Sequence, residues 1–118
     1  MKHFLQLIIA LLSAAVLVGC GACGNEISQT VASPSGQFKA VVFHRDCGAT
    51  TGYNTQVSVI AASAKLPSDG GNTLILDGSV PLKVQWQSDS SLQVSGLGSA
   101  KIFKQDSSVA GVSVKYNF

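Results

Sequence analysis

Hydrophobic and polar positions alternate through most of this chain. In 37–45, Phe38, Ala40 and Val42 share one parity while Val41 and Phe43 hold the other, which predicts a strand covered on both faces. The alternation is cleaner in 55–61, where Val57 and Val59 oppose Gln56 and Ser58. It recurs at Leu82-Val84-Trp86, at Leu92-Val94 and at Val112-Val114-Tyr116-Phe118, each with polar residues between. Shorter runs lie at 73–77 and 100–104, and Gly, Ser, Asp and Pro fill the intervals. Period two at this spacing predicts an all-β domain, a single antiparallel meander folded as a small sandwich or open barrel over 33–118. Trp86, on the apolar parity of its run, is expected in the core against Val57, Val94 and Val114. Ser33-Pro34-Ser35-Gly36 reads as a turn, with Pro setting φ at its second position. The segment before it is small and polar, and 20–32 reads as a tether. No segment after the first twenty residues carries a helical stripe.

Those first twenty residues break the alternation. Lys2 and His3 precede an apolar run from Ile8 to Leu12 and from Ala14 to Val18, closing on Leu17-Val18-Gly19-Cys20. A weakly basic start, an apolar middle and small residues at the end make a secretory signal peptide. Gln6, Ser13 and the Gly19-Cys20-Gly21 ending leave it short of the about 20 apolar residues of a spanning helix. The four closing residues resemble the lipobox of bacterial lipoproteins. That resemblance implies cleavage after residue 19 and a diacylglyceryl thioether on Cys20, so that the mature chain is held at the membrane through its first residue. Two or three acyl chains give stable attachment where one does not. Gly21 stands where an Asp marks inner-membrane retention in enteric-type bacteria, so the resemblance implies the outer membrane, facing the periplasm, in a Gram-negative host.

Removal of 1–19 leaves 99 of the 118 residues, enough for one domain, with a formal charge of +1 where the whole chain has +2. The basic residues are scattered, which gives no footprint for nucleic acid. Of the three cysteines, Cys20, Cys23 and Cys47, the first is lipidated under the lipobox resemblance and has no free thiol. Cys20-Gly21-Ala22-Cys23 is then not a redox pair, and Cys23 and Cys47 remain in an oxidising compartment, where a disulfide is the expectation. Closing that loop stabilises a fold by about 3–4 kcal/mol in the chain-entropy description.

The densest local pattern is Arg45-Asp46-Cys47-Gly48-Ala49-Thr50-Thr51-Gly52-Tyr53-Asn54-Thr55-Gln56-Val57. With the later V-x-W and G-V-x-V-x-Y patterns, it resembles a family of small bacterial envelope lipoproteins over about 33–116. That resemblance implies no activity. Two readings apply to the loop. In one, Asp46, Thr50, Thr51, Tyr53 and Asn54 form a binding surface, the hydroxyls and Gly-flanked amides facing a protein or ligand. In the other, which is preferred, the loop is scaffolding: Cys47 pairs with Cys23, Gly48 and Gly52 take positive φ, and the Thr hydroxyls cap the turn.

Catalytic patterns are weaker. His44-Arg45-Asp46 spells a kinase tripeptide without the Gly-rich loop or the length that kinase chemistry needs. A Cys47–His44 nucleophile pair fails because positions three apart on a strand face opposite sides. His44 is the sole histidine after residue 19, so no His-based metal cluster exists there, and the six carboxylates are not paired for acid–base work. The 65–72 loop has two acidic residues at most in reach of a calcium ion, too few for a site. No cofactor is expected. Ser33-Pro34-Ser35-Gly36 and Trp86-Gln87-Ser88-Asp89 resemble β-propeller turns, but propellers need at least four blades of about 40 residues. Ser95-Gly96-Leu97-Gly98-Ser99-Ala100-Lys101 resembles the S-G-x-G-x-x-Y loop of periplasmic lysozyme inhibitors, with the Tyr missing. The expected function is a non-catalytic, lipid-anchored envelope protein with a structural or protein-interaction role; the alternative is an inhibitor or immunity-type binder of a hydrolase such as lysozyme.

Overall fold

The computed structural model describes residues 23–118; the expected leader 1–19 and Cys20 lie outside the described residues. Nine strands follow one another: β1 (Gly24–Ala32), β2 (Phe38–Asp46), β3 (Asn54–Ala61), β4 (Leu74–Asp77), β5 (Lys83–Ser88), β6 (Ser91–Ser95), β7 (Ile102–Gln105), β8 (Ser108–Val109) and β9 (Val112–Asn117). They form a five-stranded sheet, β1-β2-β3-β4-β7, and a four-stranded sheet, β5-β6-β9-β8. The fold is all-β, as the alternation predicts, and the two sheets pack face to face without closing into a barrel. The alternating side chains meet between them: Ala40, Val42, Val57, Val59, Leu74 and Leu76 from the first sheet, and Val84, Leu92, Val94, Val112 and Val114 from the second.

The single meander is corrected in two places. β4 has β7, not β5, as its neighbour, and β6 runs parallel to β9. After the β5–β6 hairpin the chain crosses to the first sheet as β7, then returns through β8, so β9 enters beside β6 in the same direction. Period-two patterning fixes which face of a strand is buried but carries nothing about neighbour order.

In the first sheet, β2 and β3 are buried on both faces, as expected for 37–45. Val41 and Phe43 are each 1% exposed on the face turned away from the other sheet, beside Gln56 and Ser58. The cover is the polar 62–73 segment. Gly71 N–H donates to Gln56 Oε1 at 2.7 Å, Asn72 N–H to Ser58 Oγ at 3.1 Å, and Arg45 reaches the Ser68 carbonyl. Gly71 is required there, because a Cβ would meet the Val57 carbonyl oxygen at 2.8 Å. The Asn72 amide accepts from Val59 N–H at 2.9 Å and donates to Val59 C=O at 2.8 Å, so one side chain continues the ladder on β3 beyond the end of β4.

The tether reading of 20–32 is overturned from residue 24 onward: Gly24–Ala32 is a strand paired antiparallel with β2 along its length. An edge strand needs little apolar surface, and β1 buries little; Ile27 is 53% exposed. Its stability comes from backbone pairing and from the Cys23–Cys47 disulfide beside its first rung, Gly24↔Asp46. A bulge between Ile27 and Gln29 turns the Ser28 hydroxyl onto the Val42 carbonyl at 3.1 Å, and such bulges blunt a free edge against pairing with other chains.

Candidate functional site

Loop 46–54 connects β2 to β3 at one end of the sandwich, and its backbone is tied by local bonds. Gly48 N–H donates to Asp46 Oδ1 at 3.0 Å, Thr51 N–H to the Gly48 carbonyl at 3.0 Å, and Cys47 N–H to Thr51 Oγ1 at 3.1 Å. Gly48 sits at φ 124°, a region that side chains disfavour. Gly52, expected to share that conformation, does not. Thr51 is thus a cap, as the scaffold reading holds, whereas Thr50 is exposed. The Cys23–Cys47 bridge locks the loop to the start of β1.

Asn54 belongs to the frame of the loop rather than to its surface. Its Oδ1 accepts from Arg45 N–H at 2.9 Å and from Gln56 Nε2 at 3.0 Å, while its Nδ2 donates to the Arg45 carbonyl at 2.8 Å and the Gly52 carbonyl at 3.2 Å. The amide has no capacity left for a ligand. Tyr53, by contrast, is 58% exposed, and its ring stacks on His44 at 4.2 Å between centroids and 12° between planes. His44 Nδ1 lies 3.1 Å from the Asn54 carbonyl oxygen, to which the Nδ1–H tautomer donates. Loop, histidine and β3 therefore form one rigid corner.

Beneath this corner lies a groove of about 490 Å³, between the bulge of β1, the end of β2 and the 79–81 segment. Glu26, Ile27, Ser28, His44, Tyr53 and Val80 are among the residues that line it. Its far wall is held in place by Thr55, whose Oγ1 donates to the Gly78 carbonyl at 2.7 Å and accepts from Val80 N–H at 2.9 Å. Gly78 N–H donates in turn to the Tyr53 carbonyl at 2.8 Å. Glu26 and His44 are opposite each other in the β1–β2 register, and both line the groove beside Ile27 and Val80.

Of the residues named from the sequence, Asp46, Thr50, Thr51 and Tyr53 sit together around this corner, and Asn54 supports it from below. Glu26, Ile27 and Ser28 were missed because their segment reads as tether, and Val80 because it lies outside every alternating run. One signal pointed to the first three: a Cys23–Cys47 bond fixes the chain after Cys23 alongside the end of 37–45. The 95–101 loop is a tied turn at the same end. Gly96 and Leu97 N–H both donate to the Asn117 carbonyl, at 3.1 and 3.5 Å, and Leu97 is buried in the core. Among the described residues no three His, Cys, Asp or Glu side chains converge as a metal site would require. No family model, curated protein or solved structure matches the chain.

Proposed function

We propose that the chain is a lipid-anchored bacterial envelope protein. In this reading it is cleaved before Cys20, acylated there, and non-catalytic, with an interaction role for the end of the sandwich that carries loop 46–54. In a Gram-negative host it faces the periplasm from the outer membrane. The observation that carries the reading is the build of that loop: Asp46, Thr50 and Tyr53 are exposed on a turn that a disulfide, an Asn54 network and a stacked His44 hold rigid. A preformed, exposed and cross-linked loop meets a partner with little ordering entropy to lose, which favours contact over scaffolding. The Cys47 sulfur is in the disulfide and does not serve as a thiol nucleophile there.

The test is palmitate labelling in the producing bacterium, with the wild type compared against Cys20→Ser and Cys23→Ser. Label is expected on wild type and on Cys23→Ser and absent from Cys20→Ser, which should leave the membrane fraction. Label retained on Cys20→Ser contradicts the anchor.

A further inference from the structure

The anchor and the disulfide lie close together in the sequence. Cys23 follows Cys20 by three residues, at most about 11 Å of extended chain. Cys23 is bonded to Cys47, and β1 starts there at the rung Gly24↔Asp46. Whatever holds Cys20 therefore stays within about 11 Å of the end of the sandwich that carries loop 46–54.

The distribution of exposed apolar side chains agrees independently. Among the described residues, the large hydrophobics that stand in solvent are Ile27, Tyr53, Phe103 and Phe118. Tyr53 is in the loop itself. Phe118 follows Asn117, whose carbonyl receives the Gly96 and Leu97 amides at that same end. Ile27 is in the fourth rung from the disulfide, opposite Phe43, and Phe103 lies between the rungs Leu76↔Ile102 and Ile75↔Lys104 on the far edge strand. Through Phe43↔Gln56 and Gln56↔Ile75 these two edge positions stand at one level of the five-stranded sheet. The opposite end, made of the turns around Ser35, Ser63 and Ser90, holds none of the four. Lys101 Nζ lies 5.2 Å from the Phe103 ring centroid, an ammonium on an aromatic face, and Lys83 opens β5 at the same end. Tyr53 brings a ring with a polar tip, which suits the headgroup layer of a bilayer, and Phe103, Phe118 and Ile27 bring wholly apolar surface beside lysines whose stems reach along it.

We infer that the disulfide end of the sandwich lies against the lipid surface, with Tyr53 and its loop at headgroup level and the Ser35, Ser63 and Ser90 turns pointing away. This rests on the anchor at Cys20 and names the lipid bilayer as what the exposed loop meets. The contact adds apolar and aromatic burial to the acyl chains and fixes the orientation of the domain on its anchor.

The experiment uses the full lipidated protein in phosphatidylethanolamine–phosphatidylglycerol vesicles, plain or with acyl chains brominated near the headgroup. Trp86, near the far end, is the native reference fluorophore, and Tyr53→Trp, Phe103→Trp and Ser63→Trp each add one more. All are expected to float with the vesicles. The brominated lipid is expected to quench the emission added by Tyr53→Trp and Phe103→Trp, and to leave Trp86 and the emission added by Ser63→Trp unchanged. Flotation with no quenching at Tyr53→Trp, or with equal quenching at Ser63→Trp, overturns the orientation while leaving the anchor intact. Failure to float overturns the anchor, and the orientation with it.

Discussion

The indole Nε1 of Trp86 donates to the Val31 carbonyl at 2.9 Å, joining β5 at the edge of one sheet to β1 at the edge of the other. Gln29 makes a second bridge along the same seam, its Nε2 donating to the Leu82 carbonyl at 2.9 Å, and Asp89 Oδ1 receives Ser35 N–H at 2.9 Å near the far end. The Asp89 carboxyl is held below its ordinary value, chiefly by that backbone hydrogen bond. One open side of the sandwich is thus closed by side chains where a barrel would use a backbone ladder.

Trp86 accordingly sits at the rim, half-buried, and not in the centre of the core beside Val57, Val94 and Val114 as its alternation suggests. Trp86→Phe keeps most of the ring area and loses the bond, so a stability loss of about 1 kcal/mol is expected. Trp86→Ala is expected to lose about 2–3 kcal/mol, less than a fully buried tryptophan would. Urea unfolding followed by circular dichroism measures both. Equal losses for the two variants would contradict a role for the ring's packing.

Asn54 and Thr50 separate frame from surface within one loop. Asn54→Ala leaves the Arg45 N–H and C=O without their partner and is expected to destabilise the fold by about 2 kcal/mol. Thr50→Ala is expected to change stability by no more than about 0.5 kcal/mol. The same unfolding measurement decides, and a neutral Asn54→Ala would show that the loop is not held by this amide.

Tyr116 ties the other seam. Its hydroxyl reaches the Asp106 and Thr73 carbonyls, and burial, then the Asp106 charge, raise its pKa from 10.0 to about 12. In the unfolded chain the phenol gives up its proton near its ordinary value, whereas the folded protein retains it longer. The stability this proton contributes is complete below pH 10.0 and is lost as pH rises toward about 12. Wild type should therefore lose more stability across that window than Tyr116→Phe, read as the difference between their urea midpoints. Parallel curves would contradict it.

Much of the fold was legible because burial, which the alternation reports, decides most strands. β2 to β7 and β9 fall close to the runs at 37–45, 55–61, 73–77, 82–87, 92–95, 100–104 and 112–118. β1 was not legible: an edge strand exposing Ile27 has no apolar period to show, and the disulfide beside its first residue ties it to Cys47, 24 residues further along the chain. The parallel β6–β9 pair was hidden because neighbour order depends on how loops cross, not on side-chain parity. In the candidate site, the loop residues could be named from composition, but the inward turn of the Asn54 amide and the groove wall from β1 arise only once the strands are paired.

The central claim is a chain that begins at a lipidated Cys20 and is bridged from Cys23 to Cys47. Trypsin under non-reducing conditions cuts after Lys39, Arg45 and Lys65, so one linked species tests both parts by mass. The account predicts peptide 20–39 joined to peptide 46–65, carrying diacylglyceryl on its first residue. An N-terminus upstream of Cys20, or an unlipidated 20–39 peptide from membrane-purified protein, would contradict it.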